Sequence, residues 1–323
     1  MRRTAETAEI FRPELLAPAG NLETAVAALS AGADAVYLGL DKFNARNRAE
    51  NFTPDNLARL IDHAHQLGRK VYVTFNTLVT EPELPEAMTA LAELARLEPD
   101  TVIVQDFGVP QLLRRCLPQL PVHASTQMGI HNSSGVREAA KLGIKRVILE
   151  RQLTLEELRR IAAESPIELE VFIHGSLCVS LSGRCLLSGF AEQSSGNRGL
   201  CRQLCRRLYR WENGEGFPLS PRDFIGLPAL PELSRMRIAS LKIEGRLRGP
   251  DYVFPVVAAY RKAIDALPKA TPEAAAELAR VISRPADTGT LYGFSGRVAP
   301  EIPGIFGRRV GRVETVVRRG MRI

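Results

Sequence analysis

Short aliphatic runs recur along the chain with amphipathic stretches between them, and this alternation predicts the architecture. Eight runs read as strands: Glu14–Pro18, Ala35–Leu40, Lys70–Asn76, Thr101–Gln105, Pro121–Ser125, Arg146–Glu150, Leu169–His174 and Ala239–Glu244. Most are nearly continuous in apolarity, the pattern of strands buried on both faces. Leu22–Ala31, Thr53–Leu67, Leu84–Leu97 and Thr154–Ser165 carry apolar residues at helical spacing. Thr53-Pro54 reads as a capping threonine with proline at the first helical position, and Thr154-x-x-Glu157 as a capping box. Eight alternating β and α units predict an α/β fold, a TIM (β/α)8 barrel, with a doubly wound open sheet as the alternative.

Past the eighth strand, Asp251–Leu267 reads as the helix that closes the barrel, and 269–283 as one more helix. From Gly289 the chain becomes glycine-rich, and Val310–Val317 alternates in part like a strand. The expected division is a tail over 1–12, a barrel over 13–283 and a short β-type C-terminal extension over 284–323. That extension is either a natural end or the start of a truncated β domain.

The feature that a plain barrel does not explain is the connection between the seventh and eighth strands. It runs for about sixty residues, against roughly 2–6 in an ordinary loop of this kind. This cysteine-rich insertion, 175–238, carries four of the five cysteines: Cys178, Cys185, Cys201 and Cys205, all within 28 residues. Thiolates converging from one loop suit a [4Fe–4S] cluster or a structural zinc. Cys201-x3-Cys205 fits a zinc knuckle, but the six residues between Cys178 and Cys185 do not, which favours iron–sulfur while zinc stays open. Cys116 follows Leu112-Leu113 on a helical face and is expected to fill core.

Barrel enzymes place their chemistry where strands end. At those ends lie Asn44 and Arg46, Asn76, Gln105 and Asp106, Ser125 and Gln127, Glu150 and Arg151, His174, and Lys242, Glu244 and Arg246. One polar residue there is simply the start of a loop; the recurrence, unit after unit, is what points to a site. His174 and Glu244 are the catalytic candidates. Arg46, Lys242 and Arg246 supply fixed cations for an anionic ligand. Asn76, Gln105 and Gln127 offer planar polar groups for hydrogen bonding to a ligand. Alanine at Lys242 or Arg246 is expected to abolish the chemistry and leave the fold intact. His123 reads as structural or pocket-lining, and His63 and His65 as surface residues.

Composition adds location and charge. Hydrophobic content of 45% and charged content of 24% are ordinary for a soluble globular protein. No run approaches the ~18–20 apolar residues needed to cross a bilayer. The basic N-terminus has no apolar core behind it, and the cysteines are not spaced for disulfides, so a reducing cytoplasm is expected. The net charge of +7 comes mostly from arginine, which pairs with phosphates and stacks on bases. That favours an RNA partner, although a GC-rich genome produces the same bias.

Several separate blocks carry a resemblance. Glu170-x-Phe172-x-x-Gly175-Ser176-Leu177-Cys178-x4-Gly183-x-Cys185-x-Leu187-Ser188 resembles the signature of the collagenase-like U-32 peptidase family. Asn197-Arg198-Gly199-x-Cys201-x-x-x-Cys205-Arg206 resembles its second cysteine block, and Ser240-Leu241-Lys242-Ile243-Glu244-Gly245-Arg246 its third. Leu15–Gly20 and Gly32–Tyr37 match its opening, so the likeness spans roughly residues 13 to 266.

The resemblance implies oxygen-independent hydroxylation, with a [4Fe–4S] cluster, of transfer RNA, ribosomal RNA or the ubiquinone ring. For RNA-acting members it implies prephenate as co-substrate. Some members take a last ligand from a cysteine near Ser220–Leu227; none stands there, so the ligand set is Cys178, Cys185, Cys201 and Cys205, or is incomplete. Phe75-Asn76-Thr77, Gln105-Asp106 and His123–Gln127 look closest to the ribosomal-RNA cytidine branch.

The expected function is therefore hydroxylation of an rRNA or tRNA pyrimidine, with hydroxylation of a ubiquinone precursor or proteolysis as the alternatives. Ser176, Ser180 and Ser182 lie near His174, but neither a glycine-flanked nucleophile elbow nor an H-E-x-x-H helix occurs. A non-catalytic RNA-binding or scaffold protein is a third class, which has no use for a labile cluster at a barrel mouth.

Overall fold

Eight parallel strands close on themselves: β1 (Glu14–Pro18), β2 (Ala35–Gly39), β3 (Lys70–Phe75), β4 (Thr101–Val104), β5 (Val122–Ala124), β6 (Arg146–Ile148), β7 (Glu168–Ser176) and β8 (Ser240–Ile243). Each pairs with its successor, and β8 pairs with both β7 and β1, so the sheet is a barrel and not an open, doubly wound one. The computed structural model describes residues 10–46, 48–269, 272–281, 284–293 and 298–300, with the backbone of 315–317 and 320–322. The outer ring comprises α1 (Leu22–Ser30), α2 (Pro54–Gln66), α3 (Leu84–Arg96), α4 (Gly108–Cys116), α5 (Ser133–Lys141), α6 (Leu155–Glu164), α7 (Leu230–Arg235) and α8 (Pro250–Asp265). Thr53 caps α2 by accepting from the Asn56 amide, and Thr154 and Glu157 form the reciprocal box that starts α6.

The barrel interior is more polar than the strand sequences imply. Glu14, Arg146, Glu170 and Lys242 come from different strands and meet inside. Arg146 Nη1 donates to Glu14 at 2.5 Å and to Glu170 at 3.3 Å, and Lys242 donates to Glu170 at 3.1 Å. Tyr72 Oη donates to Glu14 at 2.8 Å. Leu15, Val171 and Leu241 alternate with these residues and belong to the buried apolar core.

Cys116 corrects an expectation: it is exposed. It is the last residue of α4, whose buried positions are Val109, Pro110 and Leu113. His63 and His65 are exposed as expected, and His123 is buried, edge-on to Tyr72.

The long connection forms a roof. It contains the short helix Leu187–Glu192 and the hairpin Tyr209–Trp211/Gly214–Gly216. The strand Asp223–Ile225 then returns antiparallel along the end of β7, pairing with Ser176, Gly175 and His174. Ala286–Asp287 adds beside it in parallel. Buried Arg284 and Asp223 form an ion pair, and Ser176 bonds to both. The start of the expected C-terminal extension is thus hydrogen-bonded to the roof.

The helix expected over 269–283 is observed as Pro272–Val281. Thr315–Val317 pairs with Gly320–Arg322 as a hairpin, while 1–9 and 310–314 lie outside the described residues. No helix among the described residues is long and apolar enough to cross a membrane.

Candidate active site at the barrel mouth

Beneath the roof, at the C-terminal ends of the strands, lies a cavity of about 260 Å³. Cys178, Cys185, Cys201 and Cys205 all line it, as free thiols. Burial raises the Cys178 thiol, and burial pushes Cys205 up to about 11. The fields of the other cysteines add to both shifts, so the four sulfurs sense one another across one space.

Among the described residues no three of His, Cys, Asp or Glu gather as a single ion would require. A tetrahedral zinc needs its sulfurs about 3.8 Å apart, from Zn–S bonds of ~2.3 Å. A four-iron cluster binds one thiolate per iron at its corners and so takes a wider set. Four free cysteines around one cavity supply the soft donors that such a cluster uses.

The rest of the lining is cationic. Arg46, Arg48, Arg151, Arg206, Lys242, Arg246 and Arg248 line the cavity, against the single carboxylate of Glu244. Glu244 accepts from Arg46 Nη2 at 3.2 Å and from Arg151 Nη2 at 2.9 Å. Burial alone would raise its pKa, but the two guanidiniums outweigh burial and hold it at about 2. Glu244 is therefore an ionised clamp for two arginines, not a proton donor near neutrality.

Its folded pKa lies below the ordinary 4.5, so its contribution to stability is complete above about pH 4.5 and lost as pH falls through about 2. The stability difference between the native chain and Glu244→Gln is expected to be constant from pH 7 to 5 and to shrink below pH 4. Urea melts across that range measure it, and a difference that still grows below pH 4 contradicts this reading.

The other sequence candidates are brought together unevenly. Lys242 is 4% exposed, donates to Glu170 and lies 4.1 Å from the Tyr37 ring centroid. Burial depresses its pKa against the pull of Glu170. Arg246 is held by neutral oxygens, those of Thr74 (3.0 Å), Asn44 (3.3 Å) and Asn51 (2.8 Å), and burial lowers it to about 10. A Cβ at Gly39 would lie 2.6 Å from its Nη2, so a side chain there would push the guanidinium aside. Alanine at Lys242 or Arg246 therefore disturbs the barrel as well as the cavity, contrary to the expectation of an intact fold.

Asn76 and Gln127 line the cavity; Gln105 does not. Gln105 Oε1 accepts from Asn197 of the roof at 2.7 Å, and Gln127 Nε2 donates to the Asn76 carbonyl at 3.2 Å. The first bond seats the roof on the barrel, and the second ties two barrel loops together.

His174 is the clearest displacement from expectation. The β7–β8 register slips so that Lys242 faces Phe172 and Ile243 faces His174, skipping Ile173. That extra residue turns His174 toward α8. Nδ1 lies 3.3 Å from Tyr260 Oη, and Nε2 lies 3.1 Å from Tyr252 Oη. Tyr260 Oη donates to the Ile173 carbonyl, so it accepts from Nδ1–H, and Nε2 accepts from Tyr252. Burial, reinforced by Arg248, lowers His174 to about 3. The residue that lines the cavity is Tyr252, with His174 behind it. Gly175, at φ +111, permits this crossing: a Cβ there would lie 2.5 Å from the Glu244 carbonyl oxygen.

Tyr252 is the site residue that the sequence does not single out, because it is hidden in a helix. Arg151 stands among the strand-end residues, and Asn197 and Arg206 lie in the second cysteine block, but the sequence gives none of the three a role.

The chain is similar to several known proteins. The tRNA hydroxylation protein P1 of Bacillus subtilis (strain 168) is 37% identical over 268 residues, 79% of this chain and 64% of that protein. The 23S rRNA 5-hydroxycytidine C2501 synthase of Escherichia coli (strain K12) is 36% identical over 268 residues, 81% of this chain and 40% of that protein. A collagenase of Porphyromonas gingivalis is 31% identical over 274 residues, 78% of this chain and 66% of that protein. The chain thus spans less than two thirds of the length of each of these relatives. A family-wide profile described as Peptidase family U32 matches residues 20–298, and the chain belongs to that family.

Proposed function

We propose that this chain is an enzyme of RNA modification, acting in the cytoplasm, which takes part in hydroxylating a pyrimidine of tRNA or rRNA. Prephenate or a related dicarboxylate serves as co-substrate in this reading. Cys178, Cys185, Cys201 and Cys205 would hold a [4Fe–4S] cluster, which supplies one-electron chemistry when bound. The observation that carries the reading is one cavity with four free thiols in its roof and seven cations against one carboxylate in its walls. Such a space favours an anionic ligand beside a soft-metal centre. A target base must leave its stack to enter it, because the reacting carbon is unreachable within a duplex.

Within the cavity, Arg46 and Arg151 are held in place by Glu244 and present cationic edges to a carboxylate or phosphate. Tyr252, oriented by His174, borders the same space. Arg46 is the best probe of anion binding, because its side chain is 35% exposed and Glu244 keeps Arg151 when it is removed.

The test is mass spectrometry of tRNA and rRNA nucleosides from cells with and without the gene. A hydroxylated pyrimidine should vanish, return with the intact gene and stay at least tenfold reduced with Arg46→Ala. An unchanged profile in the deletion strain rejects the reading. The peptidase alternative takes its support from the collagenase relative. Against it, Ser176 bonds to Asp223 and Arg284, and His174 spends both nitrogens on tyrosines.

A further inference from the structure

Arg206 is a buried cation with no carboxylate of its own. It is 8% exposed, and it donates to the Pro221 carbonyl at 3.1 Å and the Leu177 carbonyl at 3.0 Å. Arg146, Lys242 and Arg284, equally buried, each form an ion pair. Among the described residues Arg206 forms none, and its acidic neighbour Asp223 is held by Arg284. A buried charge met only by dipoles is costly unless an anion lies close.

The groups beside it are the cysteines. Arg206 follows Cys205 in the chain, and the carbonyl it grips belongs to Leu177, directly before Cys178. It thus ties the chain at Cys205 to the chain just before Cys178, on the wall of the cavity that all four cysteines line. Metal ligation converts all four to thiolates. A [4Fe–4S] core with two positive charges then carries two negative charges overall.

We propose that Arg206 is the built-in counter-charge of the four-cysteine centre and raises its reduction potential. The proposal rests on the cluster reading given above. Adding one electron from an external reductant takes the ligated cluster from two negative charges to three. A fixed cation close to that charge favours the reduced form, so its removal moves the midpoint to more negative values.

The experiment compares native protein, Arg206→Gln, Arg206→Lys and Arg210→Gln, all reconstituted anaerobically. Arg210, with 79% of its side chain exposed, is the surface control. Iron content is measured first, then the midpoint by dithionite titration followed by electron paramagnetic resonance.

Arg206→Gln is expected to keep its iron but to lose at least about tenfold in the equilibrium constant for reduction, 59 mV for one electron. Arg206→Lys should lie between it and the native protein, and Arg210→Gln should match the native protein. An Arg206→Gln midpoint equal to that of Arg210→Gln, with iron intact, overturns the proposal. If Arg206→Gln fails to hold iron, Arg206→Lys decides. Restored iron supports the counter-charge, and equal loss shows that the two carbonyl bonds matter instead, which also overturns it. Absence of a four-iron cluster from the native protein removes the underlying reading itself, and is told apart by the iron measurement alone.

Discussion

Cys178→Ser and Cys201→Ser are each expected to strip the bound metal and reduce RNA hydroxylation to background. Serine keeps the size of the side chain but replaces a soft thiolate with a hard, weakly acidic hydroxyl. The cysteines come from two stretches of the first half of the roof, so losing one ligand opens the set rather than shifting it. Anaerobically purified native protein should be brown and contain about four irons per chain. The serine variants should be colourless while keeping the barrel's circular dichroism, because barrel closure by β7, β8 and β1 does not involve the sulfurs. A colourless native protein with one tightly held zinc would replace the cluster by a structural metal. Serine variants with full iron would remove these residues from the ligand set.

Glu170→Ala should destabilise the barrel by about 3–5 kcal/mol, the usual cost of leaving buried charges without their partner. Glu170 is 0% exposed and is shared by Lys242 at 3.1 Å and Arg146 at 3.3 Å. Arg146 retains Glu14, whereas Lys242 keeps only the face of the Tyr37 ring and weaker aromatic contact with Phe172. A loss of that size is a large part of the ~5–15 kcal/mol that holds a typical domain folded. The double variant Glu170→Leu/Lys242→Met should recover most of it, since the pair is then replaced by apolar volume. Urea denaturation measures both. A single-variant cost below about 1 kcal/mol would mean that water reaches the pair, as it does for surface ion pairs.

The barrel is legible in the sequence because strand and helix periodicities are local, and β1 to β8 fall on the aliphatic runs. The four cysteines stand out by spacing alone. What the sequence hides is long-range pairing. Nothing near Lys242 reveals that Glu170, 72 positions away, neutralises it within the barrel. The slip between β7 and β8 is likewise invisible, and it alone carries His174 to the helix side while Tyr252 takes the cavity wall. Cys116 shows the limit of periodicity at a helix end, where the buried face has already run out.

The way the roof is fastened has a mechanical consequence. Its final strand is laddered onto β7 at Ser176, Gly175 and His174. Its loops are pinned by Asn197 to Gln105, Arg198 to Glu83 and Arg184 to the Met128 carbonyl. Anchors on opposite sides of the mouth prevent it from swinging as a hinged flap. The gap between the sulfurs above and the arginine clamp below is thus set by the barrel wall, like the jaws of a fixed-gauge caliper. Electron exchange weakens steeply with separation, so a rigid gauge gives every bound molecule the same coupling to whatever the sulfurs hold.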